Sequence, residues 1–298
     1  MALFNLRSNK GASDKSETLA GFLDGASIEV MPRTAAKIDS FAPLLPAGTR
    51  VYVAHIEGTS VEEMAETVGR LAADGFAPMP HVPARAIASH AALVDRLTRY
   101  RAAGAEQALV LAGNDATPAG PFASSLDMLE TGVFQDLGYS RLHVAGHPEG
   151  NKDIDRKGGT SEVDRALLWK QDFAARTGIA MAVTTQFAFD AGPVIAWAER
   201  LSAMGVTLPI HLGAAGPTKL QTLIKYAVAC GVGPSMAVLQ KRALDLSKLL
   251  VPFAPTELLT EVADYKAAHP GSLIDRVHLF PLGGIKATAE WLNEARQV

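Results

Sequence analysis

The sequence has few of the features that mark secreted, membrane or nucleic-acid-binding proteins. Its one cysteine, Cys230, cannot form an internal disulfide, and the apolar helical pattern around it predicts a packed, unreactive thiol. No window approaches the roughly 18 uninterrupted apolar residues of a membrane span, and the N-terminus lacks a signal-peptide core. The formal net charge of -3 gives no basic stripe for a nucleic-acid backbone. We therefore expect a cytoplasmic protein with neither nucleic-acid nor membrane partners.

Several catalytic motifs are also missing. No Gly-rich nucleotide fingerprint follows the first apolar run, which disfavours a doubly wound open sheet. There is no GxSxG elbow and no cysteine placed as a nucleophile, so covalent catalysis is disfavoured. No HExxH or other metal-ligand spacing occurs. The sequence therefore predicts an enzyme or binding protein without a metal site.

What the sequence does contain is a regular alternation. Short runs rich in Val, Ile and Leu are separated by longer segments with apolar residues at helical spacing. The eight runs are 26–31, 50–56, 77–83, 107–113, 141–147, 179–187, 208–213 and 276–283. This count predicts an α/β fold, a (β/α)8 TIM barrel in a single domain.

Two further boundaries follow from the same alternation. Residues 1–25 form an N-terminal extension, and residues 26–298 form the barrel as the catalytic domain. The stretch 241–271 is too long for a simple connection, so it predicts additional helix before the last strand.

Polar residues gather where the predicted strands end, which is where barrel enzymes carry their chemistry. A lone histidine there is often structural, and an Asp after Gly-Asn is often a turn residue. The strand-end residues are Glu29, His55, Glu57, His81, Asn114, Asp115, His147, Glu149, Gln186, His211 and His278.

Glu29 stands apart because it lies inside the apolar run SIEVM. Burial there favours the neutral carboxyl group and raises its pKa, which makes a usable acid at neutral pH. The alternative is a structural ion pair with Arg33.

Five segments, in order along the chain, resemble the methylenetetrahydrofolate reductase family in a short form with the catalytic barrel alone. SIEVMPRT is similar to that family's FEFFPPRT, PHV to PHLT, LVLAGND to LRGD and VAGHPEG to AxYPExHPE. TTQFAFD resembles ITQFFFD and is the most specific of the five. The resemblance runs from about residue 26 to the C-terminus.

The resemblance implies reduction of 5,10-methylenetetrahydrofolate to 5-methyltetrahydrofolate, a step of one-carbon metabolism that leads to methionine biosynthesis. NADH or NADPH is the electron source, and FAD relays the hydride. Glu29 would protonate N10 of the folate as general acid, and Asp115 or Asn114 would stabilise the cation beside the pterin. Gln186, Phe187 and His278 would contact the folate.

The resemblance also implies a set of cofactor contacts at strand ends, some of which depart from the family pattern. Ala112 replaces the Arg of LRGD, the extra residue leaves the match to its Asp open between Asn114 and Asp115, and His147 replaces the Tyr of YPE. The predicted cofactor contacts are His55, His81, Ala112, Gly113, His147, Glu149 and Lys170.

These departures leave other readings open. A flavin-independent methylene-pterin reductase, with direct hydride transfer from NADH, would keep the Glu29 chemistry. A barrel lyase or aldolase could use LGGIKA (282–287) as a phosphate site, although no lysine stands at a strand end. A non-catalytic binding barrel is the third alternative. The nicotinamide used and any assembly into homo-oligomers are also open.

Overall fold

Eight parallel strands close into a barrel in chain order, with helices between them, in a computed structural model that describes residues 16–229 and 252–297. This confirms the predicted (β/α)8 TIM barrel, and each strand overlaps a predicted apolar run. The strands are β1 Ser27–Val30, β2 Arg50–Val53, β3 Ala77–Pro83, β4 Gln107–Leu111, β5 Arg141–Gly146, β6 Ala180–Ala188, β7 Ile210–Ala215 and β8 Ile274–Phe280.

Helices follow most of the strands, and short helical turns fill some of the connections. One 3-10 turn, Ala84–Ala86, follows β3. The α-helices of the described residues are α1 16–23, α2 Pro32–Ala35, α3 Val61–Ala73, α4 His90–Ala102, α5 Ser125–Leu129, α6 Val133–Asp136, α7 Ser161–Thr177, α8 Ala191–Ala203, α9 Leu220–Ala229, α10 Thr256–Ala268 and α11 Ile285–Arg296.

Helix α3 shows how the local sequence forms these elements. The Ser60 hydroxyl accepts a hydrogen bond from the backbone N–H of Glu63, whose side chain accepts one from the N–H of Ser60. This capping box satisfies backbone donors that have no partner inside the helix. Met64, Val68 and Leu71 recur at helical spacing and are buried, so one stripe of the helix packs inward.

The parallel registers place the inward-facing side chains of neighbouring strands in layers. Glu29 pairs with Tyr52, and Tyr52 pairs with Met79. His81, which lies two residues after Met79 on β3, is in register with Leu109 of β4. Tyr52, Met79 and Leu109 form one buried cluster, so Glu29 and His81 are each in register with a member of that cluster.

Contacts divide the described chain into two compact units. Residues 27–184 with 206–209 form the N-terminal unit, which holds β1 to β5 and the first half of β6. The remaining described residues form the C-terminal unit, whose core cluster includes Phe187, Phe189 and Phe253.

Three further predictions concern the N-terminal extension, the stretch 241–271 and Cys230. Within the predicted extension 1–25, residues 16–23 are helical, and the Leu23 carbonyl accepts two hydrogen bonds from the Arg296 guanidinium. Helix α10 lies in the stretch predicted as additional helix, of which residues 241–251 lie outside the described residues. Cys230 also lies outside them, so its packing stays a prediction.

Candidate active site

Glu29 and His81 form the central pair of the N-terminal unit. The Glu29 Oε2 atom lies 3.2 Å from Nε2 of His81, and the two side chains are only 17% and 13% exposed. The contact has ion-pair distance without an aligned hydrogen bond. Arg33 lies exposed on α2 and pairs with no carboxylate among the described residues, so the alternative pairing of Glu29 with Arg33 is wrong.

Next to this pair lies a buried polar triad that the sequence did not reveal. The Tyr52 hydroxyl is 2.5 Å from Nδ1 of His143 and 3.0 Å from Oγ1 of Thr184. Burial raises the pKa of Tyr52, while its hydrogen bond to Thr184 opposes the rise. The Tyr52 ring also meets the His81 ring edge-on, with centroids 6.3 Å apart, so the triad supports the side chain that faces Glu29.

His55, predicted at the end of β2, lies near His81 and within the field of Asp115. Burial lowers the pKa of His55 most, Arg96 and His81 lower it further, and Asp115 acts in the opposite direction. His55 is therefore neutral at neutral pH. Of the predicted residues, His81 and Asp115 therefore lie close enough to His55 for their charges to affect its pKa.

The loop after β4 is shaped by Arg85 rather than by a charged residue of its own. The Arg85 guanidinium donates to the carbonyls of Ala123 at 2.9 Å and Asp115 at 3.2 Å. Gly113 has a positive φ of 92°, and a Cβ there would lie 3.1 Å from Pro83, so the turn requires glycine. The predicted residues of this loop are Ala112 and Gly113, which are half-buried, and Asn114 and Asp115, whose side chains are exposed.

Lys170 and His147 form a second pair in the same unit, near the end of β5. Lys170, on α7, is 6% exposed, and it makes no ion pair or hydrogen bond with any described residue. Burial lowers its pKa to about 8. Burial lowers the pKa of His147 to about 4, and the Lys170 charge contributes to this. Glu149, also predicted here, lies half-buried in the following loop.

In the C-terminal unit, Gln186 is held by close backbone packing. A Cβ on Gly213 would lie 2.6 Å from the Gln186 carbonyl oxygen, so β7 can approach β6 this closely only through glycine. The Gln186 side-chain oxygen accepts a hydrogen bond from the Phe187 N–H at 3.1 Å. Its amide nitrogen makes no hydrogen bond within the described residues.

The other two predicted folate contacts are buried among rings. Phe187 is 3% exposed and packs edge-on against Phe189 and Phe280. His278 is 1% exposed, with its ring centroid 4.8 Å from that of Phe280. Their side chains are therefore part of the packing of this unit, and their roles toward folate stay predictions.

Among residues 16–229 and 252–297, no three His, Cys, Asp or Glu side chains converge as metal ligands. Within the same ranges, no helix has the length and apolar character needed to cross a membrane.

Comparison with known proteins supports the fold. No protein-family model matches the chain. A Clostridium thermocellum protein that binds two copies of 5-methyl-5,6,7,8-tetrahydrofolic acid is similar over 94% of this chain and 98% of its own, with 10% identity and a TM-score of 0.60. At this identity the likeness shows the barrel fold alone.

Two other structures align with lower scores. Yersinia pestis DHPS with a pterin–sulfa conjugate has 14% identity over 91% of this chain and 92% of its own, with a TM-score of 0.45. A phosphonopyruvate hydrolase complex has 10% identity over 94% and 84%, with a TM-score of 0.47. Neither likeness carries a functional argument.

Proposed function

We propose that this protein reduces 5,10-methylenetetrahydrofolate to 5-methyltetrahydrofolate with NAD(P)H. The observation that carries the proposal is the Glu29 carboxyl group near the end of the first strand, 3.2 Å from His81 and largely shielded from water. This is the position at which the resemblance to methylenetetrahydrofolate reductases puts the general acid. A barrel fold alone does not establish a function, so the proposal depends on this pair.

The chemistry needs a proton and a hydride at different atoms. Glu29 gives its proton to N10, the bond between N10 and the methylene carbon breaks, and N5 carries the resulting iminium cation. Hydride from the nicotinamide then adds to the methylene carbon and leaves a methyl group on N5. Positioned acids of this kind contribute roughly 10² to 10⁴ in rate.

Folate as the substrate class has two supports. The Gln186 amide nitrogen has a free hydrogen-bonding capacity among the described residues, and it suits the carbonyl of a pterin ring. The Clostridium thermocellum barrel with the same fold binds a methyl-folate. Asp115 would face the developing cation, and its field already extends to His55.

The residues at the end of β4 do not fit the predicted flavin role. Ala112 offers no charge where the family has arginine, and the Arg85 guanidinium is occupied by two loop carbonyls. This observation favours the flavin-independent version, in which NADH passes its hydride directly to the folate. The version relayed by FAD is supported by the segment resemblance and by Lys170, a buried amine suited to a phosphate group.

The test is to mix purified protein with NADH or NADPH and follow loss of the reduced nicotinamide. Oxidation is expected only when methylenetetrahydrofolate is added, or when an artificial electron acceptor is added to a flavin-containing preparation. Aldol cleavage of a sugar phosphate without folate turnover would overturn the proposal, as would folate binding without any oxidation. The absorption spectrum of the purified protein separates the two versions, because only the version relayed by FAD retains a flavin.

A further inference from the structure

We propose that His81 is a positioning residue that holds the proton delivered by Glu29, so that the two side chains act as one proton donor. The inference rests on the proposed function and deepens it. A lone carboxyl group is a poor store of protons at neutral pH, because its ordinary pKa of about 4.3 leaves it almost fully ionised. An imidazole holds a proton to about two pH units higher.

The two groups lie within reach of each other. His81 Nε2 and Glu29 Oε2 are 3.2 Å apart, and Nε2 makes no hydrogen bond with the described residues. Glu29 belongs to β1 and His81 to β3, so no change of backbone is needed to bring them together. The Glu29 and His81 side chains are 17% and 13% exposed, although the Nε2 atom of His81 is itself buried.

Groups on several neighbouring elements surround the His81 ring. From β1 it faces the Glu29 carboxylate, and from β2 the edge-on ring of Tyr52. His55, which follows β2, is held neutral by burial and by Arg96 of α4. On the β4 side, the residue in register is the apolar Leu109, and Asp115 beyond that strand contributes negative charge nearby.

The proton balance is simple. The His81 N–H gives its proton to the Glu29 carboxylate, and the O–H proton so formed moves to N10 of the folate. His81 is left neutral, Glu29 is left as the carboxylate, and solvent returns one proton to the ring. Coupled groups of this kind titrate as a pair, so the pH dependence of the reaction belongs to both residues.

The experiment compares His81→Gln, which keeps an N–H donor near Glu29 but cannot carry an extra proton, with the wild-type protein. We expect kcat/KM for methylenetetrahydrofolate to fall roughly 100-fold at pH 7, the ratio of protonated fractions for an ordinary imidazole and an ordinary carboxyl group. Activity should recover toward acidic pH, and the KM for the folate should change little. His90→Gln, at an exposed histidine on α4, is the matched control.

Folding is checked separately by melting temperature and by folate binding, and His81→Ala supplies a second measurement. Imidazole added to that variant should restore activity near neutral pH. A His81→Gln protein with the wild-type pH profile, or no rescue by imidazole, would overturn the proton-holding role while leaving the reductase intact. A wild-type protein that turns over no methylene-folate would overturn the proposed function, and this inference with it.

Discussion

Two pairs of ionisable side chains in the N-terminal unit differ in sign and in environment. Glu29 and His81 carry opposite charges when ionised, and both retain contact with water. Lys170 and His147 are both bases, and burial lowers the pKa of each. Glu29 and His81 can form an ion pair with each other, whereas Lys170 and His147 have no ionic partner within the described residues. Such a pair favours an incoming anion, as on the folate or the nicotinamide dinucleotide.

The contrast teaches that burial alone does not identify the acid. Lys170 is more buried than Glu29, and the pKa shift of its amine is large, yet it makes no hydrogen bond or ion pair with a described residue. Glu29 has a partner that can return its proton. We therefore propose chemistry for the first pair and ligand binding for the second, and the following changes test that proposal.

The largest effect is expected for Glu29→Gln, which keeps the size of the side chain but cannot deliver a proton. Reduction of methylenetetrahydrofolate should fall by roughly 10² to 10⁴, with folding and folate binding retained. If the preparation contains flavin, its reduction by NAD(P)H should survive, because that half-reaction needs no proton at N10. Stopped-flow absorbance follows both half-reactions.

The matched control for this variant is Glu66→Gln, at an exposed carboxylate on the outer helix α3. Near-normal folate reduction by a well-folded Glu29→Gln protein would reduce the carboxylate to a structural partner of His81.

Next in size is Lys170→Met, which should stabilise the fold while weakening binding of an anionic substrate. The folded pKa of about 8 lies below the ordinary value of 10.5, so the unfolded chain binds more protons between these pH values. Stability therefore rises with pH across this window, and below it the buried charge costs about 3 kcal/mol. Removing the amine should recover about 1 to 3 kcal/mol at pH 7.

Denaturant unfolding at pH 7 and pH 10 measures the free energy of unfolding of the Lys170→Met protein, with Lys37→Met at an exposed lysine as the control. Unchanged stability together with unchanged affinity for NAD(P)H and folate would contradict the ligand-binding assignment for Lys170.

Gln186→Ala tests a proposed folate contact that belongs to neither pair. A pterin edge left without its hydrogen-bond partner costs about 1 to 3 kcal/mol, or roughly tenfold and more in affinity. Folate binding should weaken more than nicotinamide binding in steady-state and calorimetric measurements. Equal loss for both substrates would make Gln186 a structural residue, and Gln221→Ala, at an exposed glutamine on α9, is the control.

The smallest effect is expected from His147→Gln on acid stability. The folded pKa of about 4 lies below the ordinary 6.5, so stability is lost as pH falls from 6.5 to 4 and is unaffected at pH 7. Because the ring is half-buried, about 1 to 2 kcal/mol is expected. Thermal melts between pH 4 and 7 should show a flatter profile for the variant, and an identical profile would contradict the lowered pKa.

Much of the barrel could be predicted because strands buried on both faces leave continuous apolar runs, and Glu29 was visible as the exception within such a run. The sequence offered only Arg33 as its partner, and His81 was not foreseen, because pairing across strands depends on register rather than on sequence distance. Tyr52 and His143 look like ordinary strand residues. Only their inward position, shared with Met79 and Leu109, could have suggested a buried network.

The loop after β4 shows a different limit. Arg85 determines its shape through carbonyl groups of Asp115 and Ala123, and bonds to backbone atoms leave no trace in side-chain patterns. The extra residue in this segment also left the match between the family aspartate and Asn114 or Asp115 open.

The most direct test of the central claim uses NADH or NADPH carrying deuterium at the transferable position. The protein is incubated with methylenetetrahydrofolate, and the folate product is analysed by mass spectrometry and NMR. We predict 5-methyltetrahydrofolate with deuterium in its methyl group, fully retained under direct transfer and partly lost to solvent if a flavin intervenes. Absence of 5-methyltetrahydrofolate, with the reduced nicotinamide unchanged, would contradict the account.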